Sequence, residues 1–175
     1  ELLEVGPAVL PELTRAEYLR LLSTARILNN EKVYLLVKLF ATTGLTVQEV
    51  PKVTVEAVKS GKVITSPNGL TQIIYFPTFL QEELLEFSKA EGILTGPVFL
   101  GQFGKPIDRA VIFNCIRQLG ADAAVPKEKC NPRCLKRLYQ RTLSEIEAGV
   151  RLLVEQTHMR LLEQEQLSIG WKEGV

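Results

Sequence analysis

Apolar residues recur along this chain at two different periods. From Thr14 onward they fall at Tyr18, Leu21, Leu22 and Ala25, the i, i+3, i+4, i+7 spacing of one helix face. Thr14 and Glu17 form a capping box ahead of that run, in which each side chain satisfies a free N–H at the helix start. Val33, Leu36, Val37 and Phe40 predict a second helix over 30–43, capped by Asn30 and stopped by Gly44. Thr46 and Glu49 form another capping box and predict a short helix over 46–50. The period then changes. Segments near 53–58, 62–66 and 71–76 are rich in Val, Ile, Thr and Tyr, with Ser60-Gly61 and Asn68-Gly69 between them. Asn-Gly is a strong hairpin signal, so a three-stranded antiparallel sheet is expected.

Helical spacing returns after the sheet. It predicts helices over 77–90 with Pro77 at the start, 109–119 behind Asp108, and 132–148 from Pro132 to the residue before Gly149. A last helix over 151–166 presents Leu153, Val154, Thr157 and Leu161 on one side. The expected fold is α+β, mostly helical, with a small three-stranded antiparallel sheet. Residues 1–12 carry Pro7 and Pro11 without a period and read as a linker. Residues 13–175 then form the domain, with no internal repeat or low-complexity tract.

Composition narrows the class. A chain of 175 residues, 46% of them hydrophobic, can bury a real core and is not expected to be disordered. No apolar run approaches the ~20 residues of a membrane span, and the first residues show no signal-peptide pattern. No membrane partner is expected. The chain begins at Glu1 and its only methionine is Met159, so it is expected to be part of a longer protein. The three cysteines, Cys115, Cys130 and Cys134, read as reduced thiols of a cytosolic protein. Cys130, Cys134 and His158 would make a metal set with irregular spacing and no fourth ligand, so no metal is expected.

The net charge of +1 hides an uneven distribution. Residues 105–141 hold nine basic and three acidic side chains; residues 142–175 hold three basic and six acidic. A basic segment followed by an acidic one suggests a localised anion-binding face. There is no Walker loop, GxGxxG, HExxH or CxxC pair, and no cofactor is expected. His158 alone limits Ser-His or Cys-His catalysis to one candidate base. Its place beside Val154 and Leu161 reads as a half-buried surface histidine.

Four segments, in order, carry a family resemblance: LTRAEYLRLLSTA, KLFATTGLTVQEV, GKPIDRAVIFNCIRQLG and NPRCLKRLYQRTL. Over residues 13–149 the chain resembles the catalytic domain of the tyrosine recombinase (phage integrase) family. That resemblance implies DNA as partner, with an N-terminal DNA-binding arm domain outside this chain. It implies a role in recombination or integration, in a mobile element of bacterial or phage origin, and a cytoplasmic, nucleoid-associated location. Members cut and rejoin DNA through a tyrosine nucleophile. Two arginines, a lysine and His/Trp groups clamp the scissile phosphate, and the planar arginine fork suits paired phosphate oxygens.

The resemblance also implies that this constellation is depleted. The first arginine position holds Thr46, although the glutamate that follows it is kept as Glu49. The lysine position falls in the turn around Asn68, with Lys62 one turn earlier. The histidine position holds Arg133, and the second arginine position holds Lys136, which keeps the charge and loses the fork. The later His/Trp position falls near 159–162, beside His158, and the tyrosine position near 168–171, where Trp171 has no nucleophilic oxygen. No tyrosine follows Tyr139, and Tyr18, Tyr34, Tyr75 and Tyr139 all read as parts of the fold.

The expected function is a DNA-binding, recombinase-like domain without strand transfer of its own, a pseudo-enzyme. Lys105, Arg109, Lys129, Arg133, Lys136, Arg137 and Arg141 are its expected phosphate contacts, with Lys127 extending the patch. Two alternatives stand beside it: an active recombinase with a displaced or trans-supplied tyrosine, and a protein-interaction module on the same fold. Residues 151–175 are amphipathic and offer a route to a homo-oligomer.

Overall fold

The structure, a computed structural model, describes residues 11–170. Most of the expected linker 1–12 and the expected tyrosine position at Trp171 lie outside them. The chain divides into two compact units, one up to Tyr139 and one from Gln140.

In the first unit, α1 (Arg15–Ile27) begins with the expected capping box. The Thr14 N–H donates to Glu17 at 2.9 Å, and the Glu17 N–H donates to the Thr14 hydroxyl at 3.1 Å. Helix α2 (Glu31–Thr43) is the centre of the core, and most of its residues are buried. Gly44 ends it in the left-handed conformation at φ 71°. A Cβ at Gly44 would lie 2.6 Å from Cδ2 of Tyr139, so the glycine also makes room for that ring.

The expected first strand is a helix, α3 (Val55–Ser60). Val53, Val55 and Val58 favour strand by propensity, but Thr54 caps a helix by accepting the Ala57 N–H at 3.1 Å. Val55 and Val58, three residues apart, then face the core, and Gly61 ends the turn at φ 82°. Packing and capping override the β-branched preference. The sheet therefore has two strands. β1 (Lys62–Thr65) pairs antiparallel with β2 (Gln72–Tyr75), from Lys62 opposite Tyr75 to Thr65 opposite Gln72. Val63 and Thr65 point into the core.

Helix α4 (Thr78–Ala90) follows Pro77, and α5 (Arg109–Asp122) follows Asp108, whose side chain makes no capping hydrogen bond. Gly120 of α5 is a packing glycine: a Cβ there would lie 2.1 Å from Sγ of Cys130. This close approach sets α5 against the segment that leads into the last helix. Asn131 opens that helix by accepting the Cys134 N–H at 2.9 Å, with Pro132 at its first position.

The two helices expected on either side of Gly149 are one, α6 (Pro132–Ser168). Gly149 does not adopt positive φ, and with open space around it the helix simply continues. Beyond Gln140, α6 carries exposed apolar side chains, among them Ile146, Val150, Leu153 and Leu161. His158 is exposed rather than half-buried. Among the described residues, no helix is long and apolar enough to cross a membrane.

Candidate nucleic-acid interface

The end of α2 and the start of α6 meet around Thr46. Gly44 turns the chain out of α2, Leu45 anchors it in the core, and Thr46 begins a 3-10 turn over Val47–Lys52. The Glu49 carboxylate accepts both the Thr46 N–H at 2.9 Å and the Thr46 hydroxyl at 2.8 Å. Burial pushes the Glu49 carboxyl up. The hydrogen bonds from the Thr46 N–H and hydroxyl and the charge of Lys136 outweigh this and hold it below its ordinary value. Thr46 is thus tied to the Glu49 carboxylate, an anion that feels the charge of Lys136.

Thr46 lines a cleft of about 290 Å³ together with Arg133 and Lys136 from the start of α6 and Arg109 and Phe113 from α5. The structure brings together Thr46, Arg133 and Lys136, three positions taken from two separate segments of the resemblance. No tyrosine lines the cleft. Tyr139 is held on Gly44, and Tyr18 and Tyr34 are buried. Burial pushes the Tyr18 hydroxyl up to about 12. Tyr75 is exposed on β2, opposite Lys62.

A second, larger cleft of about 560 Å³ shares Arg109, Phe113 and Arg133 with the first. It adds Arg117 of α5, Lys127, and Arg137 of α6, with Glu128 as its one acid. Arg117 and Phe113 escaped the sequence reading, which took the basic residues one by one. The available signal was spacing: Arg109, Phe113 and Arg117 stand at i, i+4 and i+8, one stripe of α5. Cys130 and Cys134 form part of the wall. Burial pushes both thiols up, Cys130 to about 11, which suits packing rather than reactivity.

Other expected contacts lie elsewhere. Lys129 donates to both carboxylate oxygens of Glu17, at 3.1 and 3.2 Å. Lys105 is exposed in the loop before α5, and it lines neither cleft. Asn68 is exposed in the hairpin connection at φ 54°, and Lys62 is exposed on β1; neither lines these clefts. Arg141 belongs to the unit that begins at Gln140. No group of three or more metal-ligating side chains occurs among the described residues.

This arrangement of α-helices and a small antiparallel sheet is shared with solved recombinases and integrases. The XerA recombinase matches with a TM-score of 0.69 at 18% identity, covering 87% of this chain and 56% of its own. The integrase from mycobacterium phage Brujita matches with a TM-score of 0.66 at 18% identity, covering 84% of this chain and 48% of its own. The Tn1549 transposon integrase, solved in complex with transposon right end DNA, matches with a TM-score of 0.62 at 16% identity, covering 82% of this chain and 56% of its own. The chain therefore has a tyrosine recombinase/integrase-like fold and spans about half the length of these proteins. No family model matches the chain, and no curated relative matches it by sequence.

Proposed function

We propose that this chain is a DNA-binding domain of the recombinase type, acting in recombination or integration of mobile DNA without strand transfer of its own. The observation that carries this reading is the content of the cleft beside Thr46. Three cations, Arg109, Arg133 and Lys136, line it, and no tyrosine does. Cations suffice to hold phosphate, whereas transesterification needs a nucleophile and fixed donors for the developing charge. Loss of one such donor costs roughly 10²–10³ in rate, and a missing nucleophile cannot be offset by the donors that remain. DNA as partner follows the likeness to the Tn1549 integrase, whose structure holds transposon DNA. Residues 13–175 act in this reading as the catalytic-like portion of a longer protein with an N-terminal arm domain. The exposed Leu152, Leu153, Leu161 and Leu162 support association with a second copy through the segment 151–175.

The test is incubation with suicide DNA substrates followed by denaturing electrophoresis. No protein–DNA adduct should survive denaturation. A covalent adduct would overturn the reading and favour a displaced nucleophile, which mapping of the attached residue would locate.

A further inference from the structure

The larger cleft holds more than a duplex backbone can use. Its two walls face each other: α5 supplies Arg109 and Arg117, and α6 supplies Arg133 and Arg137, with Lys127 from the connection between them. None of these five cations takes part in an ion pair among the described residues. Five like charges around one concavity, against the single acid Glu128, leave a net repulsion that an anion relieves. Between Arg109 and Arg117 on the same stripe lies Phe113, half-buried and part of the cleft lining. The Arg109 guanidinium sits over that ring at 5.5 Å from its centroid.

An aromatic floor under a ring of arginines selects among anions. An inorganic phosphate leaves Phe113 unused. A paired duplex offers phosphates to the rim, but its bases present only their edges in the grooves and keep their faces stacked inside. An unpaired nucleotide offers both a phosphate and a free planar face, and base–aromatic stacking is a common means of holding single strands. A cleft of about 560 Å³ is within the ~300–1,000 Å³ range of sites that enclose small organic groups.

We infer that this cleft binds an unpaired nucleotide of a DNA strand, with its base against Phe113 and its flanking phosphates on Arg117, Lys127 and Arg137. The inference rests on the DNA-binding reading above and adds to it the structure of the preferred DNA. The domain favours DNA with a bulged or extruded base over a fully paired duplex.

The experiment compares two duplexes of one sequence, paired throughout or carrying a single bulged 2-aminopurine, titrated with the whole 175-residue chain. The bulged duplex is expected to bind at least about 5-fold tighter, with 2-aminopurine fluorescence quenched on binding. Phe113→Ala should abolish the preference for the bulged duplex over the paired one, together with the quenching. Phe113→Leu keeps the apolar volume without the aromatic face and should behave alike, so an unfolded Ala variant does not end the test. Equal affinity for the two duplexes, or a preference retained by Phe113→Leu, overturns the inference and leaves DNA binding standing. A mononucleotide that competes as well as the bulged strand also overturns it, since the occupant would then not be a strand. Absence of binding to either duplex at low salt removes both readings.

Discussion

Thr46 and Glu49 show how two near neighbours in sequence fix a turn through their own hydrogen bonds. The Thr46 N–H and hydroxyl both go to the Glu49 carboxylate, so the residue caps a turn at the edge of a cationic cleft. The capping box was readable from four consecutive letters, because its partners are neighbours in sequence. The Lys129–Glu17 pair was not, because its partners stand 112 residues apart and only the fold joins them. That pair ties Lys129 to Glu17, a contact no local pattern could supply. The Glu49 environment has a consequence in pH. Its carboxyl is held below the ordinary value of 4.5 in the folded chain, so its contribution to stability is complete above that value. It is lost as pH falls through the depressed folded value. Glu49→Gln should lower stability by about 1 kcal/mol at pH 7, the usual scale of a cap. Urea titrations from pH 7 to pH 3 should show the difference shrinking once pH falls below 4.5. A difference that stays constant across this range would show that the charge of Glu49 does not matter to the cap.

At the scale of elements, capped helices with a clear apolar stripe were legible, and elements whose propensity and packing disagree were not. Helices α1, α2, α4 and α5 follow their periodicity closely. Helix α3 does not, since its valines suit a strand in isolation but its Thr54 cap and Gly61 stop close a helix around Val55 and Val58. The other misreading came from treating Gly149 as a stop. A glycine ends a helix when the chain can use left-handed φ there, but inside a continuing helix it only lowers stability. Gly149 lies inside α6 with no atom near enough to clash with a Cβ. Gly149→Ala should therefore stabilise the helix by about 0.5–1 kcal/mol, through higher propensity and a less flexible unfolded chain. Helicity followed by circular dichroism through thermal unfolding is the measurement. A loss of helix or of stability in the alanine variant would mean that α6 breaks at this position in solution.

For the whole molecule, net charge is a poor guide and placement is the informative quantity. A chain of net charge +1 does not announce a cluster of cations, yet the fold gathers Arg109, Arg117, Lys127, Arg133, Lys136 and Arg137 around two adjoining clefts. The basic stretch over 105–141 was visible in sequence, but not all of its members line the clefts: Lys105 lines neither, and Lys129 is paired with Glu17. What the sequence could not supply was the gathering of side chains from α5 and α6 around one cleft. Binding through such a site is governed by counterion release, so its salt dependence counts the phosphates engaged. If about four phosphates are held, log K against log salt should have a slope near −3.6 on duplex DNA. Replacing Arg133, Lys136 and Arg137 together by alanine should flatten that slope by up to about 2.7 and weaken binding evenly across sequences, because phosphate contacts carry no base information. Lys105→Ala is the control, with at most a small change expected because its side chain lines neither cleft. If Lys105→Ala flattens the slope as much as the triple replacement, diffuse surface charge accounts for the attraction and the clefts have no special part in it.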